Sequence, residues 1–137
     1  MALLVCLSLI GVVAAQVWSN SLTWSMTAED PSFELIWKDA PPTNIIIGSV
    51  FQISIDVNRS PFQGSYTGVF RWSIDEIPIG ADVSHLIMDG QTFNETTMEL
   101  ETPFYMADGV TFLNYSFNMT ITYVGVWDLS VFLTGQV

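Results

Sequence analysis

A two-residue period in the last third of the chain constrains the fold most. Leu113, Tyr115, Phe117, Met119, Ile121 and Tyr123 take every second position, and Asn114, Ser116, Asn118, Thr120 and Thr122 fill the places between. Successive side chains of an extended strand point to opposite faces, so this spacing makes one face apolar and the other polar; on a helix the two sets would be scattered around the circumference. The segment is expected to be a β-strand with one face on a core and one in water. After Gly125 the alternation returns in Trp127, Leu129, Val131 and Leu133, predicting a closing strand.

Shorter stretches repeat the pattern. Leu22, Trp24 and Met26 oppose Ser21, Thr23, Ser25 and Thr27 until Glu29-Asp30-Pro31-Ser32 breaks the run, proline having no N–H to give a ladder. Phe33, Leu35 and Trp37 form the next run, and Asp39 to Asn44, with Pro41-Pro42, reads as a stiff connector. Phe51, Ile53, Ile55 and Val57 follow, then a loop from Asn58 to Tyr66, then Phe70, Trp72 and Ile74. Asp89-Gly90 is a hairpin turn signal between Ser84–Met88 and Gln91–Glu101. The segments flanking Asp108-Gly109 are likewise expected to pair as neighbours. Eight or nine short strands and no helical pattern beyond Gln16 predict an all-β chain. The expected architecture is an immunoglobulin-like β-sandwich occupying residues 16–137 as one domain.

Ahead of it, residues 1–15 form an apolar run ending in Val13-Ala14-Ala15, small residues of the kind signal peptidases accept. Cleavage there starts the mature chain at Gln16 and places it outside the cell or on its surface. No Lys or Arg precedes the run, so the alternative is a retained hydrophobic helix through Val17, and a membrane is a partner only in that case. Cys6, the sole cysteine, lies in this segment, so the exported domain is held without disulfides.

Fourteen acidic residues against three basic ones give a net charge of -11, which excludes nucleic acid as a partner and favours solubility. His85 is the sole histidine, so neither a multi-histidine metal site, nor a Ser-His-Asp arrangement with a spare base, nor a copper site of two His and a Cys is available. Asp75, Glu76, Asp82, Asp89, Glu99 and Glu101 supply oxygens of the sort calcium takes, but without EF-hand spacing, and read as solvated acidic turns. No catalytic residue, metal or cofactor is expected. Trp24, Trp37, Trp72 and Trp127 fall on inward positions; Trp18 precedes the first strand and is expected to be exposed.

Four sequons, Asn58-Arg59-Ser60, Asn94-Glu95-Thr96, Asn114-Tyr115-Ser116 and Asn118-Met119-Thr120, offer attachment points for N-linked glycans. Pro61 directly after the first disfavours it. Asn114 and Asn118 are four apart on the polar side of one strand, so both are expected to point to solvent; the alternative is that they simply populate a solvated sheet face.

The ending Tyr123-x-Gly125-x-Trp127-x-Leu129-x-Val131 resembles the terminal strands of immunoglobulin-like domains on microbial surfaces. With the sequons, the missing disulfides and the acidity, the mature chain resembles in type the glycosylated β-sandwich fibre subunits of archaea. That resemblance implies a structural subunit of an extracellular filament or surface layer whose main partner is itself. It also implies donor-strand complementation, an N-terminal strand of one subunit filling a gap in the next. Residues 21–27 are then the donor strand, with Leu22, Trp24 and Met26 the inserted side chains; pairing within its own domain is the alternative. Two other readings are a membrane-anchored or pilin-like accessory subunit with an external β-domain, and a carbohydrate-binding or adhesion module.

Overall fold

The structure, a computed structural model, describes residues 19–60 and 64–136. The expectations for the leading segment, residues 1–15, for the start at Gln16 and for Trp18, as well as Cys6 and Pro61, fall outside the described residues.

Among the described residues, ten strands make two five-stranded sheets packed face to face. One sheet has the order β3 (Asn44–Ile46), β1 (Ser19–Ala28), β10 (Val126–Gln136), β5 (Tyr66–Glu76), β8 (Glu99–Met106). The other has the order β2 (Phe33–Trp37), β4 (Val50–Arg59), β9 (Phe112–Ile121), β6 (Leu86–Met88), β7 (Gln91–Thr92). A 3-10 turn at Val83–His85 is the one helical element among the described residues. The all-β expectation therefore holds, with two very short strands, β3 and β7, added to those the alternation marks.

The core comes from the inward sides of both sheets. Phe70 and Trp72 on β5 meet Phe117 on β9 edge-on, at 5.5 and 4.9 Å between ring centres. Trp72 and Trp127 are 1% and 0% exposed, and each fully buried large side chain contributes roughly 1.5–3 kcal/mol by leaving water. All four described tryptophans thus pack inward, Trp24 and Trp37 being half-buried.

Every connection crosses from one sheet to the other except the β6–β7 hairpin, which turns at Asp89-Gly90 as its sequence predicts. Two local expectations fail as a result. The stretch Gln91–Glu101 is not one strand, because Asn94 accepts from the backbone N–H groups of Thr96 and Thr97 and Met98 takes a positive φ of 58°. The segments around Asp108-Gly109, β8 and β9, go to opposite sheets rather than pairing. An immunoglobulin-like domain keeps its last two strands in one sheet; here β9 and β10 are likewise in opposite sheets.

The strands leave two ends, one of them rich in exposed apolar turns. At the end where β1 begins lie the turns 46–50, 77–80 and 122–126, tied together by Gly48 N–H donating to Ile121 O (2.8 Å), Ser21 N–H to Gly125 O (3.1 Å) and Tyr123 O–H to Ile79 O (3.1 Å). These three turns hold no charged residue themselves, but Asp75, Glu76, Asp82 and Asp128 flank them at the same end. Ile46, Val50, Ile79, Val124 and Val126 are all exposed there, Ile79 at 98%. Gly125 sits so close to Pro78 that a Cβ on it would lie 2.5 Å from the proline Cβ. At the opposite end are Glu29, Asp30, Asp108 and the buried Arg59. There Ser60 N–H donates to Ser32 O and Gly64 N–H to the Asp108 carboxylate, at 2.9 and 2.8 Å.

Candidate functional site: the first strand and the sequon face

β1 has no charged residue, and its Ser/Thr positions alternate with Leu22, Trp24, Met26 and Ala28, which suits a strand with one wet face. Leu22 is 1% exposed, whereas Trp24 and Met26 are half-buried at the margin of the core. The Trp24 ring stands edge-on to Trp37 (6.0 Å) and Phe51 (6.5 Å) of the facing sheet, and its Nε1–H donates to Pro42 O at 2.9 Å. The three expected donor side chains are thus wedged between the sheets of their own domain.

Along one edge β1 pairs with β10 over eight positions, from Ser21 opposite Val126 to Ala28 opposite Leu133. This ladder is parallel, and all the other ladders among the described residues are antiparallel. Along the other edge β3 pairs only with Ser19, Asn20 and Ser21, and Thr43 O accepts from Leu22 N–H at 2.8 Å. Strand residues alternate in the direction of their backbone groups, so beyond that point Trp24, Met26 and Ala28 face an edge that no strand among the described residues covers. A four-residue turn, Glu29–Ser32, joins β1 to β2. It is closed by the Asp30 carboxylate accepting from Ser32 N–H (2.9 Å) and Ser32 O–H (2.8 Å), bonds that hold the Asp30 carboxyl below its ordinary pKa.

The far edge of the same sheet is different. β8 carries Pro103, which offers no N–H, together with Glu99 and Glu101, features that discourage a further strand.

The outer face of the second sheet carries the sequon row. Asn114 and Asn118 are both exposed on β9 while Phe117 and Met119 are buried, so the two asparagines share the solvent face. Asn114 Nδ2 donates to the Asp56 carboxylate on β4 at 2.9 Å, a partner invisible in the sequence because it depends on register. Asn118 lies opposite Gln52, and its N–H donates to the Asp89 carboxylate at 2.9 Å. Ser54 and Ser116 share a 2.8 Å hydrogen bond between the two asparagine rows. Asn94 is exposed at the start of the turn after β7, its Oδ1 accepting the two N–H groups already named. Asn58 is half-buried on β4 between Glu34 and Phe112, a more crowded position.

His85 is used locally: its Nδ1 accepts from Asp82 N–H at 3.0 Å while the Asp82 carboxylate accepts from Ser84 N–H and O–H, a capping box on one 3-10 turn. Those Ser84 bonds hold the Asp82 carboxyl below its usual pKa. Among the described residues no three of His, Cys, Asp and Glu gather in a metal-binding group, and no helix is long and apolar enough to cross a membrane. Comparison with protein-family models, with curated proteins and with solved structures found no match for this chain.

Proposed function

We propose that the chain is a structural subunit of an extracellular filament or surface layer, joined to copies of itself by β-strand addition with β1 as the donated strand. The observation that carries this reading is the way β1 is attached. It is uncharged, pairs along its length with β10, pairs with β3 over Ser19–Ser21 alone, has no described strand on that second edge from Trp24 onward, and is tethered by a four-residue turn. An identical strand from a second copy brings the same Leu22, Trp24 and Met26 side chains to the same slot, so exchange replaces contacts in kind.

The reading places the protein outside the cell, with N-linked glycans on Asn94, Asn114 and Asn118, and on Asn58 if Pro61 and crowding permit. Sugars on the β9 face stand away from the β1 edge and oppose stacking of sheets face to face. The sandwich type belongs with the proposal. Because nearly every connection changes sheet, the winding is better described as the double Greek key of a jelly roll than as the immunoglobulin-like type.

The test is assembly. Concentrated purified protein is expected to form polymers visible by negative-stain microscopy, and a variant lacking residues 19–28 is expected to form none. A parent protein that stays monomeric at high concentration overturns the proposal.

A further inference from the structure

We infer that in the assembled state β1 of one copy enters the slot beside β10 of the next copy in the reverse direction, antiparallel. The end of one sandwich that carries the turns 46–50, 77–80 and 122–126 is then stacked on the opposite end of its neighbour, where Glu29 and Asp30 lie. This rests on the strand-addition reading above and adds the polarity of the polymer and the surface buried in it.

The first argument is tether length. The Cα atoms of Ala28 and Phe33 are at most about 17 Å apart even with the turn fully extended. A donated strand that kept the parallel direction would end at the Glu29–Asp30 end of the receiving copy, while β2 of the donor begins at the donor's own Glu29–Asp30 end. Both strands also lie at the same margin of the sandwich, β1 in one sheet and β2 in the other. The short tether would force like end to like end and margin to margin, a self-complementary contact that closes as a dimer. In the reverse direction the donated strand ends at the receiver's other end, beside the turns 46–50, 77–80 and 122–126. The contact is then head to tail, and growth is open-ended.

Exposed apolar surface points the same way. The closed arrangement leaves Ile46, Val50, Ile79, Val124 and Val126 in water, and the reverse arrangement covers them.

Pairing chemistry permits the reversal. With Ser25 kept opposite Ser130, Leu22 moves opposite Leu133, Trp24 opposite Val131 and Met26 opposite Leu129. Each inward residue stays inward, because reversal about a pair conserves the two-residue period. An antiparallel ladder is slightly more stable per residue than a parallel one. Against this stands the loss of the three-residue antiparallel ladder between β1 and β3.

Cysteine pairs in the full chain, with Cys6→Ser as background, distinguish the directions. Ser21→Cys with Thr134→Cys is expected to give a ladder of covalent multimers when polymers are oxidised. Within one domain Ser21 lies opposite Val126, eight positions from Thr134, roughly 26 Å away and far outside disulfide reach. Ser21→Cys with Phe132→Cys covers a register displaced by two. Thr27→Cys with Phe132→Cys reports the parallel arrangement. Multimers from either of the first two pairs support the inference. Polymers cross-linked only by the third pair overturn the reversal and leave strand addition standing, whereas failure of the parent to polymerise overturns both.

Discussion

Replacing Trp24 with alanine measures how firmly β1 is seated. The indole makes two edge-on ring contacts, with Trp37 and Phe51, and one hydrogen bond to Pro42 O. Complete removal of a buried Trp costs about 3–5 kcal/mol. Trp24 is only half-buried, which brings its transfer share to about 1–2 kcal/mol. The two ring pairs add about 0.5–1 kcal/mol each, and the net hydrogen bond adds about 1 kcal/mol. The expected loss is therefore about 3–5 kcal/mol, or roughly 10–20 °C in Tm for a domain of this size. Trp24→Phe keeps a ring against Trp37 and Phe51 but gives up the bond to Pro42, so it is expected to lose about 1 kcal/mol. Urea unfolding followed by circular dichroism reads both, with the slope m checking that the native state stays compact. A loss under 1 kcal/mol for Trp24→Ala would refute the reasoning, since it would mean that β1 does not occupy its slot in solution.

Gly125→Ala is expected to cost about 1–3 kcal/mol, read from the same unfolding curves, because the added Cβ meets Pro78 at a positive φ of 150°. The Asp30 carboxyl is held below its ordinary value of 3.8, first by the backbone N–H of Ser32 and then by its hydroxyl. Its stabilisation is thus present above that value and lost as pH falls through the lowered folded pKa. Asp30→Asn should flatten the acid limb of the stability curve below about pH 4. Intact mass of the native protein is expected to show a start at Gln16 and added glycan, removed stepwise by Asn→Gln at positions 94, 114 and 118. A mass equal to the unmodified chain from Met1 counts against both.

What the sequence made legible was what a local period can carry. Strand faces follow from two-residue alternation, so the burial of Phe117 and Met119 and the exposure of Asn114 and Asn118 were readable in advance. Pairing was not, because a turn signal reports only local φ. Asp89-Gly90 joins hairpin partners and Asp108-Gly109 joins strands of opposite sheets, with similar residues in both turns. The parallel placement of β1 against the last strand spans nearly the whole chain and left no local trace. Arg59, expected in a loop, closes β4 with 4% exposure, its guanidinium over the Phe33 ring at 5.8 Å and donating to Gly64 O. Of the candidate site, the three inserted side chains were visible in the period, while the Asp56 partner of Asn114 waited on register.

Under the proposed strand addition, the unequal edges of the first sheet would set the valence of the subunit. A particle with two receptive edges grows into a ribbon or a tangle, and one with none stays alone. Pro103, Glu99 and Glu101 close the β8 side, and the β1 side stays receptive. Each copy can then give one strand and take one, which confines growth to a single unbranched line.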